Sequence, residues 1–239
     1  MSPVEVSPDA TTLARTVATA LVEHVASVQA EGRVPAIALT GGTIALEVYR
    51  AVPEAGSDAV DWTQVDFWWG DERYVAADSG DRNDRAAGLA MLDALGVDPA
   101  RVHAMPAADE FHDDVAAAAA AYTEELRAHG SGPFDLVLLG LGPDGHVASL
   151  FPGFAQLDVD DVAALPVTDS PKPPPERITL TFGALNQTHE VWFLVSGQDK
   201  ADAVARALAD EGSVRETPAR GIVCDRITWY VDQAAAASL

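Results

Sequence analysis

Cysteine is almost absent from this 239-residue chain, Cys224 being the only one. A single thiol excludes an intramolecular disulfide framework, and its commonest role is a small apolar filler in a packed segment, which fits a reducing compartment. Basic charge is scarce as well. Lys+Arg 15 stands against Asp+Glu 37, a formal net charge of -22 at pH 7. The acidic residues are spread along the chain instead of gathered in a tail, so a nucleic-acid-binding surface is not expected. The same charge repels anionic small molecules at long range, and any anion site must be assembled from a few local cations and backbone N–H groups. Lysine is the rarest charged residue, with only Lys172 and Lys200. A high-GC coding bias explains that scarcity as well as chemistry does, and it is given no functional weight. Long hydrophobic runs are missing too: no stretch reaches the roughly 18 apolar residues of a spanning helix, and the first residues, with Glu5, Asp9 and Glu23, lack the apolar core of a secretory leader. The expectation is a cytoplasmic protein with no membrane partner. It should form one domain over 1–239, as a monomer or small homo-oligomer.

What is present is an alternation of two hydrophobic periods. Ser7 followed by Pro8 is an N-cap and first-turn signal, and Leu13, Val17, Leu21 and Val25 recur at helical spacing, predicting a helix over about 8–31. Val34 to Leu39 is a short apolar run bounded by Gly32 and by Gly41 and Gly42, as a strand buried on both faces would be. A helix over about 43–52 follows. The pattern returns with a strand at 65–69 before a helix near 83–95, and with a strand at 134–139 after an alanine-rich helix near 110–129. Further strands are expected at 177–182, 189–195 and 227–231, with a helix at about 198–210. This is α/β patterning around a mostly parallel sheet flanked by helices. The proline-rich segment 170–175 can be neither helix nor central strand and reads as an extended surface loop.

In open α/β sheets ligands bind beyond the carboxyl ends of the strands, and the polar loops there are the candidates for chemistry. Thr40-Gly41-Gly42-Thr43 joins a strand to a helix, where glycines let the backbone approach an anion; an ordinary tight turn is the alternative. Asp71, Glu72 and Arg73 follow the next strand, as a site or as a surface charge cluster. Gly140-Leu141-Gly142-Pro143-Asp144-Gly145-His146 matches the spacing G-x-G-x-x-G, but Pro143 removes an N–H inside the loop and Phe151-Pro152-Gly153 ends any following helix too soon for dinucleotide binding. What remains is a rigid turn presenting Asp144 and His146, with His146 either a proton-transfer group or a turn-capping one. Lys200 stands near a helix start, where a cation opposes the dipole unless an anion lies nearby; a solvated lysine is the alternative. His112-Asp113-Asp114 has no metal-ligand spacing, adjacent residues on a helix pointing apart, and no metal site is expected.

Taken in order, Thr-Gly-Gly-Thr at 40–43, Asp-Glu-Arg at 71–73 with Asn83, Gly-Pro-Asp-Gly-His-Val-Ala-Ser-Leu-Phe-Pro at 142–152, Arg-Ile-Thr-Leu-Thr at 177–181 and Ser-Gly-Gln-Asp-Lys-Ala at 196–201 resemble the signature segments of 6-phosphogluconolactonases. The resemblance spans about residues 30–235 and implies a modified Rossmann-like α/β fold shared with sugar-phosphate isomerases and glucosamine-6-phosphate deaminases. It implies hydrolysis of 6-phospho-D-glucono-1,5-lactone to 6-phosphogluconate, in the oxidative pentose phosphate pathway, without cofactor or metal. His146 would be the general base and Asp144 its orienting partner. Gly41, Gly42, Thr43, Asp71, Arg73, Arg177 and Lys200 would bind phosphate or substrate oxygens. Arg73 and Ser149-Leu150-Phe151 favour the lactonase over the deaminase, whose segments usually read Asp-Glu-Tyr and Gly-His-Ile-Ala-Phe-Asn-Glu-Pro. Thr43-Ile44-Ala45 and Arg82-Asn83-Asp84-Arg85 depart from the commoner forms of their segments. A third reading, a non-catalytic sugar-phosphate sensor, is disfavoured by an opening acidic helix where such repressors carry a DNA-binding motif.

Overall fold

The computed structural model describes residues 2–112, 114–130 and 132–239. The chain opens on strand β1 (Val4–Ser7), which pairs in parallel with the last strand, β9 (Arg226–Asp232). Neither the strand nor its place was expected: four residues with two exposed positions leave no periodic signal. Ser7 is consequently a sheet residue, and Asp9 is the helix cap, its carboxylate accepting from Thr12 N at 2.7 Å. Helix α1 (Ala10–Ala30) buries Leu13, Val17, Leu21 and Val25 on one face, as the periodicity requires.

Strand β2 (Ala36–Leu39) is buried throughout and flanked on both sides by parallel partners, β3 (Asp66–Trp69) and β5 (Leu136–Leu139). Helix α2 (Thr43–Ala51) follows β2. With β8 (Glu190–Val195) the main sheet is six-stranded in the order β1-β9-β8-β5-β2-β3, every pair parallel. The helix expected near 83–95 is α3 (Asn83–Ala87), a π-helical turn at Gly88–Leu92, and α4 (Asp93–Leu95). The alanine-rich helix α5 (Val115–His129) starts later than expected because Asp114 caps it, accepting from Ala117 N at 2.9 Å. Asp113 lies outside the described residues. Among the described residues no helix is long and apolar enough to cross a membrane.

The segment 177–182 belongs elsewhere than expected. A second, antiparallel sheet in the order β4-β7-β6 comprises β4 (Asp71–Arg73), β6 (Ala164–Val167) and β7 (Arg177–Leu180). Thr181 leaves β7 to cap the short helix α6 (Phe182–Leu185), accepting from Ala184 N at 3.2 Å. Gly70 is the junction between the sheets: its N–H donates to Leu39 O at 2.9 Å and its carbonyl accepts from Leu180 N at 2.8 Å. Helix α7 (Ala201–Leu208) is preceded by a 3-10 turn at Gln198–Lys200, so Lys200 stands at the helix start as expected.

Candidate active site

The order of the main sheet reverses between β2 and β5, where loops leave toward opposite sides and open a crevice beyond the strand ends. A cavity of about 490 Å3 lies there, bordered by the loops after β2, β5 and β8 and by β4. Gly41, Gly42, Thr43, Asp71, Arg73, His146, Arg177 and Lys200 all border it. Asp144 stands one layer behind, hydrogen-bonded to His146.

The loop after β2 is held by Tyr49 of α2, whose hydroxyl donates to Thr40 O at 2.7 Å and accepts from Thr40 N at 3.0 Å. Gly42 caps α2 with φ +104 and no side-chain hydrogen bond, so the first-turn N–H groups have no side-chain acceptor where Gly42, Thr43 and Ile44 border the crevice. Gly41 has no room for a Cβ, which would strike the Asn83 amide. Asn83 is itself fixed, donating through Nδ2 to Asp71 O at 3.0 Å. Glu72 faces away from the site's chemistry: its buried carboxylate accepts from Arg73 N at 2.7 Å, Asn83 N at 2.7 Å and Asp84 N at 2.8 Å, capping α3. Burial and Asp84 raise the Glu72 carboxyl, against Arg82 and the backbone N–H groups.

Strand β4 turns its neighbours into the cavity by register. Arg73 is directly opposite Arg177 and Asp71 opposite Thr179, so two arginines share one face, an arrangement that like charges oppose unless an anion joins them. Arg73 Nη1 donates to Asp81 O at 2.6 Å, while its Nε is buried with no hydrogen-bond partner among the described residues. Asp71 is buried and accepts from Ser149 Oγ at 2.7 Å, which leaves it an orienting partner within the wall.

After β5 the turn closes with Gly145 N donating to Gly142 O at 2.8 Å and Gly142 N to His146 O at 2.9 Å. Arg206 holds it from α7, donating to Pro143 O at 3.0 Å. Gly142 is required sterically, because a Cβ there would overlap the His146 ring and Asp144 Oδ1. His146 Nδ1 lies 2.5 Å from Asp144 Oδ1. Burial works to raise the Asp144 carboxyl, but the His146 side chain and backbone N–H, with Lys172, bring it down to about 2. A carboxylate on Nδ1 sets the tautomer with the proton there and leaves Nε2 as the acceptor. Phe151 packs against both His146, ring centroids 4.6 Å apart, and the Arg177 guanidinium, 5.9 Å from its centroid. Ala148, two residues past His146, borders the cavity with φ +48, a strained conformation for a residue with a Cβ.

The loop after β8 is anchored by Asp232, which accepts from Ser196 Oγ at 2.6 Å and Gly197 N at 3.1 Å. Lys200 Nζ lies 3.4 Å from Asp199 Oδ2. Sequence reasoning missed one cavity residue of consequence: Lys172, from the proline-rich segment, borders the same space. The scarcity of lysine set aside as coding bias was a usable signal, since both lysines of the chain stand at this cavity.

The profile of the family described as glucosamine-6-phosphate isomerases/6-phosphogluconolactonase matches residues 8–229. The chain belongs to this family. Among relatives, a 6-phosphogluconolactonase of Mycobacterium leprae is 39% identical over 242 residues, covering 99% of this chain and 98% of the relative. One of Streptomyces coelicolor is 42% identical over 238 residues, covering 95% and 90%. Among solved structures, the 6-phosphogluconolactonase of Thermotoga maritima superposes with a TM-score of 0.84 at 27% identity, covering 98% of this chain and 100% of that one. A monomeric glucosamine-6-phosphate deaminase reaches a TM-score of 0.83 at 18% identity over 99% of this chain and 100% of that one, a likeness of fold alone.

Proposed function

We propose that this family member is a cytoplasmic 6-phosphogluconolactonase, working as one domain and as a monomer or small homo-oligomer. The observation that carries the reading is the Asp144–His146 pair at 2.5 Å on the edge of a cavity with arginines and lysines around it. An acceptor nitrogen faces a space suited to an anionic, oxygen-rich ligand. His146 Nε2 takes a proton from water as the oxygen attacks the lactone carbonyl, giving a tetrahedral oxyanion. Collapse breaks the bond between carbonyl carbon and ring oxygen, and the imidazolium returns its proton to the departing oxygen. Asp144 holds the ring and steadies its positive charge. Arg73, Arg177 and Lys200, with the N–H groups of Gly41, Gly42 and Thr43 and the Thr43 hydroxyl, bind the phosphate and substrate oxygens. Asp71 fixes the cavity wall through Ser149. Phosphate binding remote from the carbonyl then positions it for attack.

The test is turnover of freshly generated 6-phosphogluconolactone at neutral pH, with the uncatalysed hydrolysis subtracted. Wild type accelerates the reaction, and His146→Ala loses about 10²–10⁴-fold in kcat with a small change in KM. Equal kinetics of the two proteins would remove the general-base assignment, and no acceleration by wild type would remove the lactonase reading.

A further inference from the structure

Lys172 reaches the cavity on a strap that the fold goes to some length to hold. Ser170 N donates to Pro175 O at 3.0 Å and closes the segment on itself. Within it, Ser170 Oγ donates to Lys172 O at 2.9 Å and Lys172 N to Ser170 Oγ at 3.2 Å. Arg177 then pins the strap from β7: Nη2 donates to Lys172 O at 3.1 Å and Pro173 O at 3.2 Å, and Nε to Pro174 O at 3.2 Å. Two of the three guanidinium nitrogens of Arg177, itself 4% exposed, are therefore spent on strap carbonyls.

The side chain so positioned has carboxylates nearby but no contact partner among the described residues. Lys172 Nζ makes no hydrogen bond or ion pair with any described residue, whereas Lys200 has Asp199 at 3.4 Å. Burial pushes the Lys172 ammonium down, Asp144 pulls it up, Lys200 and Arg177 push it down again, and Asp199 pulls it up more weakly. Four cations, Arg73, Lys172, Arg177 and Lys200, border one polar space, Lys172 without an ion-pair partner among the described residues, and they repel each other until an anion enters. Proline restricts the strap backbone, so little ordering remains when a ligand binds.

We propose that Lys172 is a substrate-binding residue that contacts the anionic phosphate together with Lys200, and that Arg177 is in part a positioning residue acting through the Lys172 strap. This rests on the lactonase reading above. It also divides labour among cations: the flexible lysines meet the phosphate as point charges, while the planar arginine satisfies a row of carbonyls.

The decisive comparison is Lys172→Met, which keeps the aliphatic stem, against wild type and Arg177→Ala. Lys172→Met raises KM for the lactone at least tenfold with a much smaller change in kcat, and weakens calorimetric binding of 6-phosphogluconate while leaving the already weak binding of unphosphorylated gluconate unchanged. Its melting temperature stays at the wild-type value. Arg177→Ala also raises KM, and in the Lys172→Met background it raises KM by a smaller factor than alone. An unchanged KM and unchanged 6-phosphogluconate affinity in Lys172→Met overturns the binding role, and full additivity of the two substitutions overturns the strap coupling. Should wild type neither turn over the lactone nor bind 6-phosphogluconate, the lactonase reading falls instead, an outcome separate from a working wild type with an indifferent Lys172.

Discussion

At the scale of single residues the site depends on where a side chain is missing as much as on those present. The Asp144–His146 pair occupies the space over Gly142 that a Cβ would fill. Gly142→Ala therefore displaces either the imidazole or the carboxylate, and misplacement by about 1 Å can cost on the order of 10²-fold in rate. The expected result is a kcat lowered by about that factor with the fold retained, read from background-corrected turnover beside a circular dichroism melt; wild-type kcat would show that the pair relocates without penalty. The placement of His146, Asp144, the loop glycines, Arg73 and Lys200 at one end of the sheet was legible because each lies in the segment that follows an apolar strand, and that adjacency survives in the linear order. Lys172 was not, since the register that brings residue 172 over a cavity built by residues 40–43 and 140–146 is a property of the antiparallel sheet. Glu72 was legible as part of a charge cluster but not as a helix cap, because its acceptors' partners include N–H groups eleven and twelve residues away.

At the scale of elements, parallel strands buried on both faces announce themselves as apolar runs, and β2, β3, β5 and β8 were read that way. The smaller sheet was not foreseen because β4 is three polar residues and β6 contains Pro166; their pairing is dictated by β7 and not by any pattern of their own. Packing of α1 on the main sheet carries a pH dependence. His24 on α1 packs edge-on against Trp192 of β8, ring centroids 5.7 Å apart, and its Nε2 is buried without a hydrogen-bond partner among the described residues. Burial lowers its pKa below 6.5, although Glu190 and Asp135 raise it. Above that unfolded value both states are neutral and His24 contributes no slope. As pH falls through 6.5 the unfolded chain takes up a proton that the folded one resists, and stability declines until the depressed folded pKa is reached. His24→Leu keeps the apolar contact and removes the proton uptake. Its melting temperature should fall less than that of wild type between pH 7.5 and 5.5, at roughly 2–4 °C per kcal/mol for a chain of this size. Parallel curves for the two proteins would discard His24 as a source of acid sensitivity.

At the scale of the whole molecule, the charge of -22 and the gathering of Arg73, Arg177 and both lysines at one cavity, beside Glu47, Asp71 and Asp199, are two sides of one problem. On the lactonase reading proposed above, a phosphorylated ligand approaches against net repulsion, which the salt of a cell screens beyond a Debye length of about 8 Å, while the arginines and lysines act at contact, where screening is weaker. Self-repulsion also opposes the compact state. Ion pairs offset part of it: Arg33 bonds Asp135, Arg101 lies 2.8 Å from Asp66 and Arg226 2.8 Å from Glu190. Salt weakens these attractions as well as the repulsions, so the sign of its effect depends on which is larger. With 37 acidic side chains and 15 basic ones, at least 22 carboxylates lack a basic partner even if every cation pairs with one, and repulsion among them dominates. The melting temperature should therefore rise, by several degrees at neutral pH, as sodium chloride increases from about 10 to 150 mM, the interval over which the Debye length shortens from roughly 30 to 8 Å. Most of the gain should come in that interval, because further salt shortens the screening length little. A melting temperature that falls over the same range would mean that the paired minority, not the unpaired excess, controls the stability of this fold.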